Sequence, residues 1–141
     1  MTDATFEKVS RSDKRFYGPP KLLLCGFPPD AQPNFEKVLQ FAGMEKVPRI
    51  WVTQDQEHSR ISDLLDLPDG EGAGVTSPLP RAIVVSGITQ KELIGLMEVC
   101  RRTGMKDALW ATLTPTSETW TVRRLLAELA AEREAFAKRS R

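Results

Sequence analysis

The stretch PRAIVVSGITQKELIGLMEVCRRTGMKDALWATLTPTSETWTVRRLLAE, residues 80–128, decides the fold. It aligns without a gap on PPKLLLCGFPPDAQPNFEKVLQFAGMEKVPRIWVTQDQEHSRISDLLDL, residues 19–67, at an offset of 61 positions. Gly26 then falls on Gly87, Gly43 on Gly104, Met44 on Met105, Thr53 on Thr114, and Leu64-Leu65 on Leu125-Leu126. Each stretch reads as strand, helix, strand, helix.

The later copy is the more sharply written. Ala82 to Val85 is an apolar, largely β-branched run that fits a buried strand. Thr89-Gln90-Lys91-Glu92 spells a capping box, with Ile88 and Leu93 at the positions of a hydrophobic staple. Leu93, Leu96, Met97 and Cys100 recur on one helical face, and Gly104 ends the helix. Leu109 to Thr114 is the next strand. Thr121 suits an N-cap, with Trp120 and Leu125 as a second staple. The last helix carries Val122, Leu125, Leu126, Leu129 and Phe136, and Lys138-Arg139 suit its negative end.

In the earlier copy, Lys21 to Phe27 reads as a strand. Phe35, Val38, Leu39 and Ala42 follow at helical spacing, with Pro33 in the first turn, where its missing N–H is tolerated. Arg49 to Thr53 is the second strand and Gln54 to His58 a polar loop. Ser59 reads as the N-cap of a short helix carrying Ile61, Leu64 and Leu65.

A strand–helix–strand unit closes as a parallel crossover. Each two-stranded unit is marginal alone. The expected architecture is therefore α/β: a tandem βαβα repeat forming one four-stranded sheet with packed helices and pseudo-two-fold symmetry, its strand order open. Within one compact domain, residues 1–18 are an N-terminal arm and 19–67 the first copy. Residues 68–79, rich in Gly, Pro and Ser, are a flexible linker with no core position. Residues 80–141 are the second copy.

The bulk properties exclude several classes. The chain has 141 residues, 40% hydrophobic and 28% charged, with a net charge of +1. That balance gives no reason to expect a nucleic acid partner. The basic clusters Arg101-Arg102, Lys106, Arg123-Arg124 and Lys138-Arg139-Arg141 are interleaved with acids along the last helix and make no continuous stripe. No apolar run is long enough for a membrane span, and residues 1–15 lack the apolar core of a secretory signal. Two cysteines, Cys25 and Cys100, show neither a disulfide framework nor metal-ligand spacing, which fits a cytoplasmic location.

The run Val84-Val85-Ser86-Gly87-Ile88, the helix to Gly104, and Thr114-Pro115-Thr116 followed by Trp120-Thr121 and Leu125-Leu126 resemble a family of small bacterial proteins. That family is catalogued only as a domain of unknown function. The resemblance covers Arg81 to Ala135, and Lys21 to Leu67 more faintly. It implies a cytoplasmic bacterial protein and brings no activity or cofactor with it.

Three functional readings follow from the residues. The first is a non-enzymatic interaction or regulatory module whose partner is another protein, with Trp110, Trp120 and Pro115 as contact candidates, since aromatics are enriched at interface hot spots. The second is a small-molecule or anion site beyond the carboxyl ends of the strands. Its candidates are Gly26 and Thr53 in one copy and Ser86, Gly87, Thr114 and Thr116 in the other. The same residues also have local work, as tight turns and helix caps. The third reading is an enzyme built on Cys25 and His58, with Asp55 orienting the imidazole. No metal or cofactor is called for.

Overall fold

A computed structural model describes residues 14–105 and 107–139. Strands β1 (Lys21–Cys25) and β2 (Arg49–Val52) flank helix α1 (Gln32–Phe41), and the short helix α2 (Ile61–Leu65) follows. Strands β3 (Ala82–Ser86) and β4 (Leu109–Thr112) flank α3 (Gln90–Arg102), and α4 (Val122–Arg139) ends the described chain. Single 3-10 turns occupy Gln54–Gln56 and Ser117–Thr119.

Alternation along each strand builds two cores. Leu22 and Leu24 face one side of the sheet with Trp51, Ile83 and Val85. Leu23 and Cys25 face the other with Ile50, Val52, Ala82 and Val84. Strands apolar on both faces need cover on both faces. Phe35, Val38 and Leu39 of α1, with Leu96 and Cys100 of α3, cover the first. Ile61, Leu64 and Leu65 of α2, with Val122, Leu125 and Leu126 of α4, cover the second. Phe27 anchors the first core, its ring centroid 4.9 Å from Phe35 and 5.7 Å from Trp51.

The strands lie in the order β2-β1-β3-β4 in one open four-stranded sheet. β1 runs parallel to β2, and β3 parallel to β4, as the crossover rule requires. The central pair β1–β3 is antiparallel.

Local chemistry explains the helix ends. The Glu92 amide donates to Thr89 Oγ1 at 3.0 Å, and the Thr89 amide donates to Glu92 Oε1 at 2.8 Å, completing the expected capping box. Thr121 Oγ1 accepts from the Arg124 amide at 3.2 Å at the head of α4. Pro33 sits in the first turn of α1 as the sequence implies.

Several expectations are corrected. Arg60, not Ser59, precedes α2 as its N-cap, and no side chain caps that helix. The cause is tertiary: Arg60 is held extended by a bridge to Thr121, so helical geometry starts only at Ile61. Met97 was expected on the buried face of α3, yet it is 40% exposed beside Ile94 at 56%. Phe136 was placed on the apolar stripe of α4 and is also exposed. Arg133 of α4 donates to the carbonyls of Asp107 and Ala108.

The Gly- and Pro-rich connection is docked along the sheet rather than loose. The Gly70 amide donates to the Arg49 carbonyl and the Trp51 amide to the Glu71 carbonyl, both at 2.8 Å. Asp69 Oδ1 accepts from the Arg49 amide at 2.9 Å. Ser77 is buried, so this segment does hold a core position. Of the N-terminal arm, residues 1–13 lie outside the described residues, as do Lys106 and Arg141 of the basic clusters. Phe16, within that arm, packs against the α1–α3 core.

Candidate functional site

The antiparallel centre of the sheet divides the strand-end candidates. β1 and β2 point their carboxyl ends one way, and β3 and β4 the other. Gly26 and Thr53 therefore lie at one end, with Cys25, Asp55 and His58. Ser86, Gly87, Thr114, Thr116, Pro115 and Trp120 follow the strands of the opposite end. The two sets are therefore separated by the length of the sheet.

Each end is covered by the chain itself. The Gly87 amide donates to the Tyr17 carbonyl at 3.1 Å, and the Phe16 amide donates to the Ile88 carbonyl at 2.7 Å. Arg15 Nη1 adds a bond to the Gly87 carbonyl at 2.9 Å. A Cβ on Gly87 would lie 2.4 Å from the Gly18 carbonyl oxygen. Ser86 beneath this plug is fully buried, and its Oγ has no hydrogen-bond partner. At the other end a Cβ on Gly26 would lie 2.3 Å from the Leu79 carbonyl oxygen, and Arg81 Nε donates to the Gly26 carbonyl at 3.0 Å. Both glycines have positive φ, +75° and +67°, which lets the backbone turn sharply where another segment presses on it.

Thr114 and Thr53 are held by local hydrogen bonds. The Ser117 amide donates to Thr114 Oγ1 at 2.9 Å, and the Thr114 amide donates back to Ser117 Oγ at 3.0 Å. The Thr53 amide donates to Gln56 Oε1 at 2.9 Å. Thr116 and Pro115 are exposed on the same loop as Thr114. Trp120 is half-buried, with the Arg124 guanidinium 4.3 Å over its ring and its carbonyl accepting from the Ile61 amide.

Cys25 is buried among apolar side chains, and burial pushes its thiol up to about 12. Such a group is protonated at neutral pH and lacks the thiolate that nucleophilic chemistry needs. His58 is exposed, its Nε2 3.6 Å from Glu57 Oε1, and Asp55 is exposed in the turn before it. The other thiol, Cys100, is likewise buried and pushed up to about 11. Among the described residues no cluster of three or more His, Cys, Asp or Glu side chains is placed to hold a metal ion. No helix among them is long and apolar enough to cross a membrane.

Sequence reading missed one feature, the outer edge of β4. Leu109 and Leu113 donate inward to the Arg81 and Val85 carbonyls at 2.9 Å each. Alternation then turns the N–H and C=O groups of Trp110 and Thr112 away from β3. Among the described residues none of these groups has a backbone partner. The opposite edge is covered by residues 69–71, which bond to the outward N–H and C=O of Arg49 and to the N–H of Trp51. Beside the open edge runs a groove of about 600 Å³ lined by Ile94, Met97, Met105, Ala108, Trp110 and Arg133. A signal for it existed in the aligned sequence stretches. At the 61-residue offset Met97 and Trp110 stand against Glu36 and Arg49, which form an ion pair. An apolar pair in place of a charged one marks a different environment.

Residues 81–136 match the sequence model of DUF3783, a domain of unknown function. This is the segment whose motifs carried the resemblance. No curated protein and no solved structure is significantly similar to the chain.

Proposed function

We propose that the chain is a pseudo-two-fold tandem repeat that works as a non-enzymatic interaction module, docking a protein partner on the β4 edge and the α3 groove. The repeat reading is supported by equivalent contacts at the 61-residue offset. Leu22 pairs with Arg49 and Ile83 with Trp110, in the same register. Leu23 and Val84, themselves equivalent, face each other at the centre of the antiparallel pair. The Ile61 amide donates to the Trp120 carbonyl at 2.9 Å, and the equivalent Val122 amide donates to the Ser59 carbonyl at 3.1 Å. Gly26 presses on Leu79-Pro80, as Gly87 presses on Gly18-Pro19.

One observation carries the interaction reading: the two halves agree in their centre and differ at their edges. β2 is closed by chain and flanked by the Arg49–Glu36 pair. β4 is open and flanked by exposed Ile94 and Met97. An open strand edge is a template for pairing with another chain, and proteins ordinarily cover or charge such edges. Trp110, on this edge, is the contact candidate best placed for the role. Trp120 serves the seam between the halves, and Pro115 stands apart on its loop.

The other readings have less support. The strand ends needed for a ligand are occupied by residues 15–18 and 79–80, although the unpartnered Ser86 Oγ leaves a polar atom there. The Cys25–His58 reading lacks a thiolate. The two free, buried cysteines are in keeping with a reducing, cytoplasmic setting.

The test is affinity recovery from native cells with tagged wild-type protein and with Met97→Glu, an exposed change that leaves the core alone. Specific recovery by the wild type and its loss in the variant is expected. Equal recovery by both would overturn the assignment of this surface.

A further inference from the structure

We infer that the occupant of the β4 edge is a second copy of this chain, paired antiparallel about a two-fold axis at Ala111. This rests on the reading of the β4 edge as a docking surface and names its partner. The outward groups of the strand belong to Trp110 and Thr112, which stand symmetrically on either side of Ala111. In an antiparallel pair centred there, Trp110 of one copy faces Thr112 of the other. Each such pair exchanges both of its N–H to carbonyl bonds. Every outward group is then satisfied at once, by a partner of the same sequence.

The side chains suit the same register. Ala111 would meet its own copy at the non-hydrogen-bonded position, where Cα atoms approach to about 4.5 Å. A methyl group fits that spacing on itself. The flanking Trp110–Thr112 pairs combine an aromatic with a β-branched side chain, a favourable cross-strand pair. The axis stands normal to the sheet, so the α3 helices of the two copies lie side by side above it. Ile94 and Met97, 56% and 40% exposed, are brought towards their copies and lose water contact.

The opposite edge sets the size of the assembly. Residues 69–71 already bond to Arg49 and to the Trp51 N–H, so among the described residues the outer edge of β2 is covered and does not propagate the joined sheet. Association stops at a closed two-fold dimer rather than a filament.

Sedimentation velocity of the full chain from about 1 μM to about 100 μM tests this. The wild type is expected at twice 15.8 kDa and Thr112→Pro at 15.8 kDa. The Thr112 N–H faces away from β3, so proline there breaks no bond within the protomer. An unchanged far-UV spectrum and melting temperature establish that the variant is folded. Met97→Glu is expected to weaken the dimer without touching the backbone. A wild type monomeric throughout that range overturns the inference, and so does a dimer that survives both variants. Protection of the Thr112 amide in a monomer, lost on deleting residues 1–13, would overturn it in favour of the chain's own N-terminus. A monomeric wild type whose recovered proteins are still lost in Met97→Glu would sink the dimer alone and leave the docking surface standing.

Discussion

Gly26 and Gly87 mark where the two halves press on each other. At both positions a methyl group would strike backbone rather than a side chain able to move: Leu79-Pro80 against Gly26, and Gly18 to Pro20 against Gly87. Alanine at either site also inherits a left-handed backbone, which alone costs about 1–2 kcal/mol. Gly87→Ala is expected to lose about 3 kcal/mol or more in urea denaturation. A loss below the backbone term alone would contradict the close packing. Cys25 makes a different prediction. An unfolded thiol ionises above its ordinary 9.0, whereas the folded one stays protonated to about 12. The native state thus retains a proton that the unfolded chain gives up, and stability falls as pH rises through that window. Below 9.0 the contribution is intact. The urea midpoint should decline from about pH 9 upward, and Cys25→Ala should flatten the decline. Cys100 shares the trend with a smaller span, so the slope is reduced rather than abolished.

Of the two helices that follow the edge strands, α4 begins at the Thr121 cap its sequence suggests, whereas α2 does not begin at Ser59. Ser59 has the right chemistry for a cap, but the bridge between Arg60 and Thr121 fixes the start of α2 one residue later. Thr89 and Glu92 meet no such competition and form their box. Thr89→Ala is therefore expected to cost about 1 kcal/mol, while Ser59→Ala stays within about 0.5 kcal/mol. Equal effects at the two sites would refute the assignment of caps. The connection along β2 is an element in its own right. Asp69→Ala removes the acceptor for the Arg49 amide and is expected to raise hydrogen exchange at Arg49 and Trp51 by loosening residues 69–71. Unchanged exchange would show that the Gly70 and Glu71 bonds suffice. Capping, strand and turn signals were legible in the sequence because they act within a few residues. Edge cover was not, because a Gly-rich stretch has the same composition whether it lies on a sheet or in water.

At the scale of the molecule, the halves depend on each other for a core. β3 gains one neighbour from its own half and one from β1, and the α2–α4 side buries residues from both. A fragment of residues 80–141 would expose the paired edge and half of each core, and is expected to be unfolded or aggregated in far-UV and gel-filtration measurements. Mixing it with residues 1–79 should restore the native spectrum. A monomeric fragment 80–141 that folds alone with a cooperative transition would contradict this mutual dependence.

By itself the sequence determined the α/β class, the four strands, the helices within a few residues, the capping box and the crossover within each half. These follow from periodicity and short-range hydrogen bonding, which neighbouring residues settle among themselves. Tertiary structure decided the antiparallel join of β1 to β3. With it came the separation of Gly26 and Thr53 from Ser86 and Thr114 to opposite ends, the plugging of both ends, and the exposure of the β4 edge. The pairing of distant strands depends on which apolar faces can be buried together. No local pattern encodes that choice, and the position of every candidate site followed from it.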